Sequence, residues 1–141
     1  TDALMRLKRT EGRKVVVLLS DGRDEDNPGT GPGSARSQND VFAALEDTDA
    51  VIYPIGLGPR VDRALLERLA AESGGIAYFP EDVSSLRDNY ARVVEGLRRR
   101  YLVSYTSTNP VRDGAWRAVQ IETPQPEVVV RNRGGYFAPE Q

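Results

Sequence analysis

The sequence predicts an α/β fold: a Rossmann-like parallel sheet with helices on both faces, followed by a C-terminal antiparallel β extension. Three observations carry this. Val15-Val16-Val17-Leu18-Leu19 is a continuous apolar run rather than an alternating one, the pattern of a central strand covered on both faces. Two further apolar runs, 50–55 and 76–79, are separated from it and from each other by segments of helical spacing, as in a sheet with right-handed crossovers. After Arg100 the period changes from helical to alternating, which marks antiparallel strands. The division expected is an α/β part over 1–100 and a β extension over 101–141 packed on the same domain.

The elements follow in order. Residues 2–9 read as a helix end with Leu4, Leu7 and Met5 inward, stopped by Gly12. Residues 14–19 are the first strand. The stretch 24–37 is a loop, acidic at Asp24, Glu25 and Asp26 and then too rich in Gly and Pro for regular structure. Ser37 with Asp40 three residues later forms a capping box that opens a helix carrying Val41, Phe42 and Leu45. The strand 50–55 is closed by Gly56, Gly58 and Pro59. Asp62 caps a helix bearing Leu65, Leu66, Leu69 and Ala70, which Gly74-Gly75 stops. A short strand at 76–79 precedes a long helix over 83–100, with Leu86, Tyr90, Val93, Val94 and Leu97 at helical spacing. Strands are expected at 101–106, 116–123 and 128–133, with 136–137 packing back as a last one. Tyr53, Tyr78, Phe79, Tyr101, Tyr105 and Trp116 read as core or sheet packing.

Composition excludes several functions. The 141 residues suit one domain, and a net charge of −2 gives no general attraction to nucleic acid or an anionic membrane. Arg98-Arg99-Arg100 ends a helix, where cations offset the negative end of its dipole. The longest apolar run is far too short to cross a bilayer. The chain has no His and no Cys, which removes Ser-His-Asp and Cys-His nucleophiles, thiolate or imidazole zinc sites and redox pairs. Any metal here is a hard cation held by oxygen: magnesium, calcium or manganese.

The candidate site lies where the first apolar run meets an acid. Parallel sheets place ligands beyond the carboxyl ends of their strands, and Asp21 stands there. Two readings are open: Asp21 holds a metal, or it caps the turn through Gly22. Ser20 supports the loop in either case. Asp24, Glu25 and Asp26 read as a solvated acidic loop, and residues 27–33 as either a partner-contact loop or a plain insertion. A phosphate-binding loop is excluded, because Gly-x-x-x-x-Gly-Lys-Ser/Thr is missing.

Gly12-Arg13-Lys14-Val15-Val16-Val17-Leu18-Leu19-Ser20-Asp21-Gly22 resembles the fourth core strand of a von Willebrand factor type A (VWA) domain. Ala50-Val51-Ile52-Tyr53-Pro54-Ile55-Gly56-Leu57-Gly58 resembles the strand that follows it, and residues 69–80 the family's helix-Gly-Gly-strand segment. Residues 97–105 and 131–139, with Arg133-Gly134-Gly135-Tyr136-Phe137-Ala138-Pro139, are similar to a bacterial VWFA-related branch first noted in acidobacteria. The resemblance implies a non-catalytic adhesion or scaffold module, exported to the periplasm or beyond the cell. It also implies one divalent cation at the sheet edge, in the metal-ion-dependent adhesion site, completed by an acidic side chain of a partner protein. Asp21 matches the family's third-motif ligand, with Ser20 and Gly22 beside it and Thr1 as a second-motif candidate. The first motif, Asp-x-Ser-x-Ser, occurs nowhere in the chain. The expectation is therefore a domain lacking its N-terminal half, with the metal absent from this chain alone and the other half supplied as another fragment or chain. A half sheet of this kind exposes an apolar strand edge.

Two other classes compete with this one. A metal-independent structural module of an exported multidomain bacterial protein needs neither cation nor turnover. A magnesium phosphotransferase would show Asp-x-Asp where this chain has Asp21-Gly22-Arg23, so the chain is expected not to be an enzyme.

Overall fold

The computed structural model describes residues 1–25, 31–82, 84–101 and 103–140. The two long apolar runs become strands β1 (Val15–Ser20) and β2 (Val51–Gly56), paired in parallel with Val15 opposite Val51 and Ser20 opposite Gly56. The third expected strand shrinks to one parallel bridge between Ile55 and Tyr78. There the Gly56 N–H donates to the Tyr78 carbonyl and the Tyr78 N–H to the Pro54 carbonyl, both at 2.8 Å. Ile52, Pro54 and Gly56 share the edge of β2 that faces away from β1. On that edge the Ile52 N–H donates to Ser73 Oγ at 2.9 Å, and Pro54 has no N–H to offer. A proline is tolerated within this strand because its missing donor falls on the side without a full ladder.

Among the described residues, four helices accompany the strands: α1 (Asp2–Leu7), α2 (Gln38–Glu46), α3 (Arg63–Ser73) and α4 (Leu86–Arg98). The capping box forms at α2, where the Asp40 N–H donates to Ser37 Oγ at 3.3 Å and the Ser37 N–H donates to Asp40 Oδ2 at 2.7 Å. The Ser37 hydroxyl, which donates to Asp40 Oδ2 at 2.8 Å, and then the Ser37 N–H hold the Asp40 carboxyl below its usual range. Asp62 Oδ1 accepts the Leu65 N–H at the start of α3, and Gly74 ends it at φ 75°. Gly75 is fixed by proximity, since a Cβ there would lie 1.8 Å from the Ile52 carbonyl oxygen.

One face of the sheet is packed by α1, α2 and α3. Leu4, Phe42, Leu45, Ala50, Ile52, Leu66 and Leu69 form a buried cluster, with Val16 and Leu18 against it. On the other face Tyr53 and Ile55 are buried, and the Arg100 guanidinium lies 5.6 Å from the Tyr53 ring. Val17 and Leu19 share that second face by strand alternation, yet they are 40% and 56% exposed. The expected burial of β1 on both faces is thus met on one only. Among the described residues β2 is its single hydrogen-bonded strand neighbour.

The extension is sparser than expected. Among its described residues only β3 (Trp116–Ala118) and β4 (Gly135–Phe137) pair, antiparallel, with Trp116 opposite Phe137 and their rings edge-on at 4.9 Å. The described residues of 101–106 and 128–133 form no strand, and 116–123 keeps only its first three residues. Tyr101 is 94% exposed rather than packed, and Trp116 is exposed as well. Alternation marks which face a strand would bury. It does not supply the neighbouring backbone that makes a strand.

Asp26 and residues 27–30 of the loop, Val83 at the expected helix start, Leu102 and Gln141 lie outside the described residues. Among those described, no helix is long and apolar enough to cross a membrane.

Candidate functional site

Parallel pairing brings the carboxyl ends of β1 and β2 to one edge, so the loops that follow them meet there. Asp21 is the first residue past β1 and is exposed. Its turn is pinned by four bonds. Ser20 Oγ accepts the Gly22 N–H at 3.0 Å, and the Ser20 carbonyl accepts the Leu57 N–H at 3.4 Å. Asp21 Oδ1 accepts the Arg23 N–H at 3.1 Å, and the Asp21 carbonyl accepts the Asp62 N–H at 2.7 Å. Asp62 therefore serves twice, anchoring this turn through its backbone and capping α3 through its side chain.

Gly22 is required at this point for two reasons. Its φ is 80°, and a Cβ would lie 3.1 Å from both Asp62 Cβ and the Asp62 carbonyl oxygen. Beneath it, Leu66 is 1% exposed and fills the space under the ends of both strands.

A solvent-facing cleft of about 630 Å³ opens beside the turn, lined among others by Arg23, Asp24, Glu25, Gln38, Arg60 and Asp62. Arg23 pairs with Glu25. The lining is polar and carries both signs of charge. Neither His nor Cys exists to serve as base or thiol nucleophile.

Ser20, Asp21 and Gly22 are thus brought together at the sheet edge. Thr1 is not joined to them: it precedes α1 without a side-chain cap bond, and no hydrogen bond links it to Asp21 among the described residues. The ion pair of Asp2 with Arg36 at 3.7 Å does bring the start of α1 beside the entrance to α2. The other acid–serine cluster, Asp82 with Ser84 and Ser85, is tied up in local bonds just before α4. Asp82 Oδ1 accepts the Ser84 hydroxyl at 2.7 Å and the Ser85 N–H at 2.8 Å, which keeps its carboxyl below the usual range.

The oxygens of Asp21 and Ser20 are hard donors of the kind that magnesium, calcium or manganese takes. Such ions want about six of them, however. Among the described residues no group of three or more His, Cys, Asp or Glu side chains is placed to hold a metal. These residues do not by themselves fit a complete shell, and Asp21 contributes one carboxylate.

Arg60, Gln38 and the anchoring role of Asp62 were not foreseen. The signal for Arg60 was present: Gly56, Gly58 and Pro59 close β2, and parallel topology sends that loop to the same edge as Asp21.

A family model for the von Willebrand factor type A domain matches residues 3–92. Among curated proteins, the calcium-activated chloride channel regulator 3A-1 of Mus musculus is 33% identical over 105 residues, which is 72% of this chain and 10% of that protein. The chain therefore spans about a tenth of the length of this relative.

Proposed function

The chain belongs to the von Willebrand factor type A family, whose members are in general non-catalytic modules of protein–protein interaction, and from that premise we propose that it acts as an adhesion or scaffold module whose partner binds at the Asp21 edge through a divalent cation. In this reading Asp21 is one ligand of magnesium, calcium or manganese. An acidic side chain of the partner supplies another, and the remaining oxygens come from elements outside the described residues. An exported setting, periplasmic or extracellular in a bacterium, goes with it.

One observation carries the reading. An exposed carboxylate stands on a rigid turn at the carboxyl edge of a parallel sheet, next to a polar cleft. Rigid placement matters because a cation site loses affinity when its ligands must first be ordered. The competing reading, a metal-independent structural module, is favoured by a different bond: Asp21 Oδ1 already accepts the Arg23 N–H, as a turn-capping Asp does.

Calorimetric titration of the protein that contains this chain with magnesium, calcium and manganese separates the two. Saturable binding at one site, lost in Asp21→Ala, is expected, together with cation-dependent binding of an acidic peptide. Binding of the peptide that ignores both chelator and the Asp21→Ala change would leave the structural module standing.

A further inference from the structure

Helices α2 and α3 both start at the cleft, where Gln38 and Asp62 line it, and both run to the opposite edge of the sheet. At about 1.5 Å per residue they are rods of roughly 13 and 16 Å. Their far ends meet the same short piece of the C-terminal extension. Arg133 Nη2 donates to the Glu46 carbonyl and Nη1 to the Thr48 carbonyl, each at 2.6 Å, so the guanidinium fork closes the end of α2. Asn132 and Arg133 also lie with their backbone on Gly74, the residue that ends α3. A Cβ at Gly74 would come within 3.0 Å of the Arg133 nitrogen. Arg100 donates to the Gly74 carbonyl from the end of α4.

The segment is stiffened from behind. The Asn132 side-chain amide donates to the Val119 carbonyl at 3.0 Å, and the Val119 N–H donates to the Gly134 carbonyl at 2.9 Å. A planar, always-charged fork suits two carbonyls at the negative end of a helix, and an ammonium group cannot bridge them in the same way.

We propose that residues 132–133 form a clamp across the C-terminal ends of α2 and α3, and that this clamp sets the opening of the cleft between their N-terminal ends. The two states are clamped and released. A neighbouring segment or partner that draws the extension away frees the rods to separate at the Asp21 edge. The coupling is mechanical, and it holds whatever the cleft binds.

The absence of cysteine makes the test clean, because spin labels can be placed at Gln38→Cys and Arg60→Cys in the full chain. Arg133→Ala is compared with Arg133→Lys and with Arg112→Ala, a control at an exposed position in the extension. Loss of two charge-assisted bonds is expected to speed amide exchange over 131–136 by about tenfold or more. The distance distribution between the labels should then shift and broaden, with Arg133→Lys intermediate and Arg112→Ala unchanged. Protected amides in β2 report that the fold persists, and if Arg133→Ala unfolds the chain, Arg133→Lys carries the comparison. Faster exchange in the extension with an unchanged label distance would make Arg133 an anchor only and overturn the coupling. Unchanged exchange would overturn the clamp itself.

Discussion

Gly22→Ala tests how the Asp21 turn is held. The residue sits at φ 80°, where an L side chain costs about 1–2 kcal/mol relative to the right-handed region. The added methyl also lands 3.1 Å from Asp62 Cβ and from the Asp62 carbonyl oxygen, closer than atoms settle without moving. Neither contact can swing aside. Asp62 is tied to Asp21 by its N–H and to Leu65 by its carboxylate, and Leu66 blocks retreat from below. Overpacking against such neighbours adds about 1 kcal/mol at the low end of its usual range.

Gly12→Ala supplies the control. Its φ is 85°, nearly the same, but nothing lies within 4 Å of the added carbon. Both variants carry the backbone cost, and only Gly22→Ala carries the squeeze. At about 2.1 cal/mol/K per residue, a chain of 141 residues loses roughly 3 °C of melting temperature per kcal/mol. Thermal unfolding followed by far-ultraviolet circular dichroism should therefore show Gly12→Ala lower by about 3–7 °C and Gly22→Ala lower by about 3 °C more. Equal melting temperatures for the two variants would refute the claim that Asp62 pins this turn from below.

Other outcomes follow from the same bonds. Ser73→Ala removes the buried acceptor of the Ile52 N–H and should cost about 1–3 kcal/mol in urea unfolding; a loss under about 0.5 kcal/mol would mean that another acceptor takes its place. Ser37→Ala breaks the capping box and should cost about 1 kcal/mol, read in the same experiment, with amides at the start of α2 exchanging first. Asp40 has a folded pKa below its unfolded value, so its contribution is present above about pH 4 and is lost as pH falls through the lower, folded value. The stability gap between the natural chain and Asp40→Asn should accordingly close on acidification, and a gap that widened toward low pH would contradict the capping assignment.

Local chemistry was legible in the sequence. Ser37 and Asp40 announced the start of α2, Asp62 and Gly74 bounded α3, and the apolar runs placed β1 and β2 in parallel. Each of these signals depends on residues three or four apart or on a run of neighbours, so no tertiary partner is needed to read it. The same reasoning placed Asp21, Ser20 and Gly22 on one turn. It failed wherever a second element was required. Residues 101–106 and 128–133 alternate as strands do, but their described residues enter no strand pairing. Val17 and Leu19 belong to a run that reads as buried on both faces, yet they are exposed, because an apolar run does not say which of its faces another element will cover. Thr1 and Asp21 are twenty residues apart in sequence, and proximity over that span cannot be read from spacing.

The sequence by itself determined the starts of α2 and α3, the parallel pair and the acid at its carboxyl edge, because periodicity and capping are local. Only the tertiary structure decided that Asp62 anchors the Asp21 turn while capping α3, that Gln38 and Arg60 face the same cleft, and that Arg133 closes the far end of α2 from 87 residues away. These are contacts between segments distant in the chain, and the packing of helices on a sheet, rather than the order of residues, chooses which of them meet.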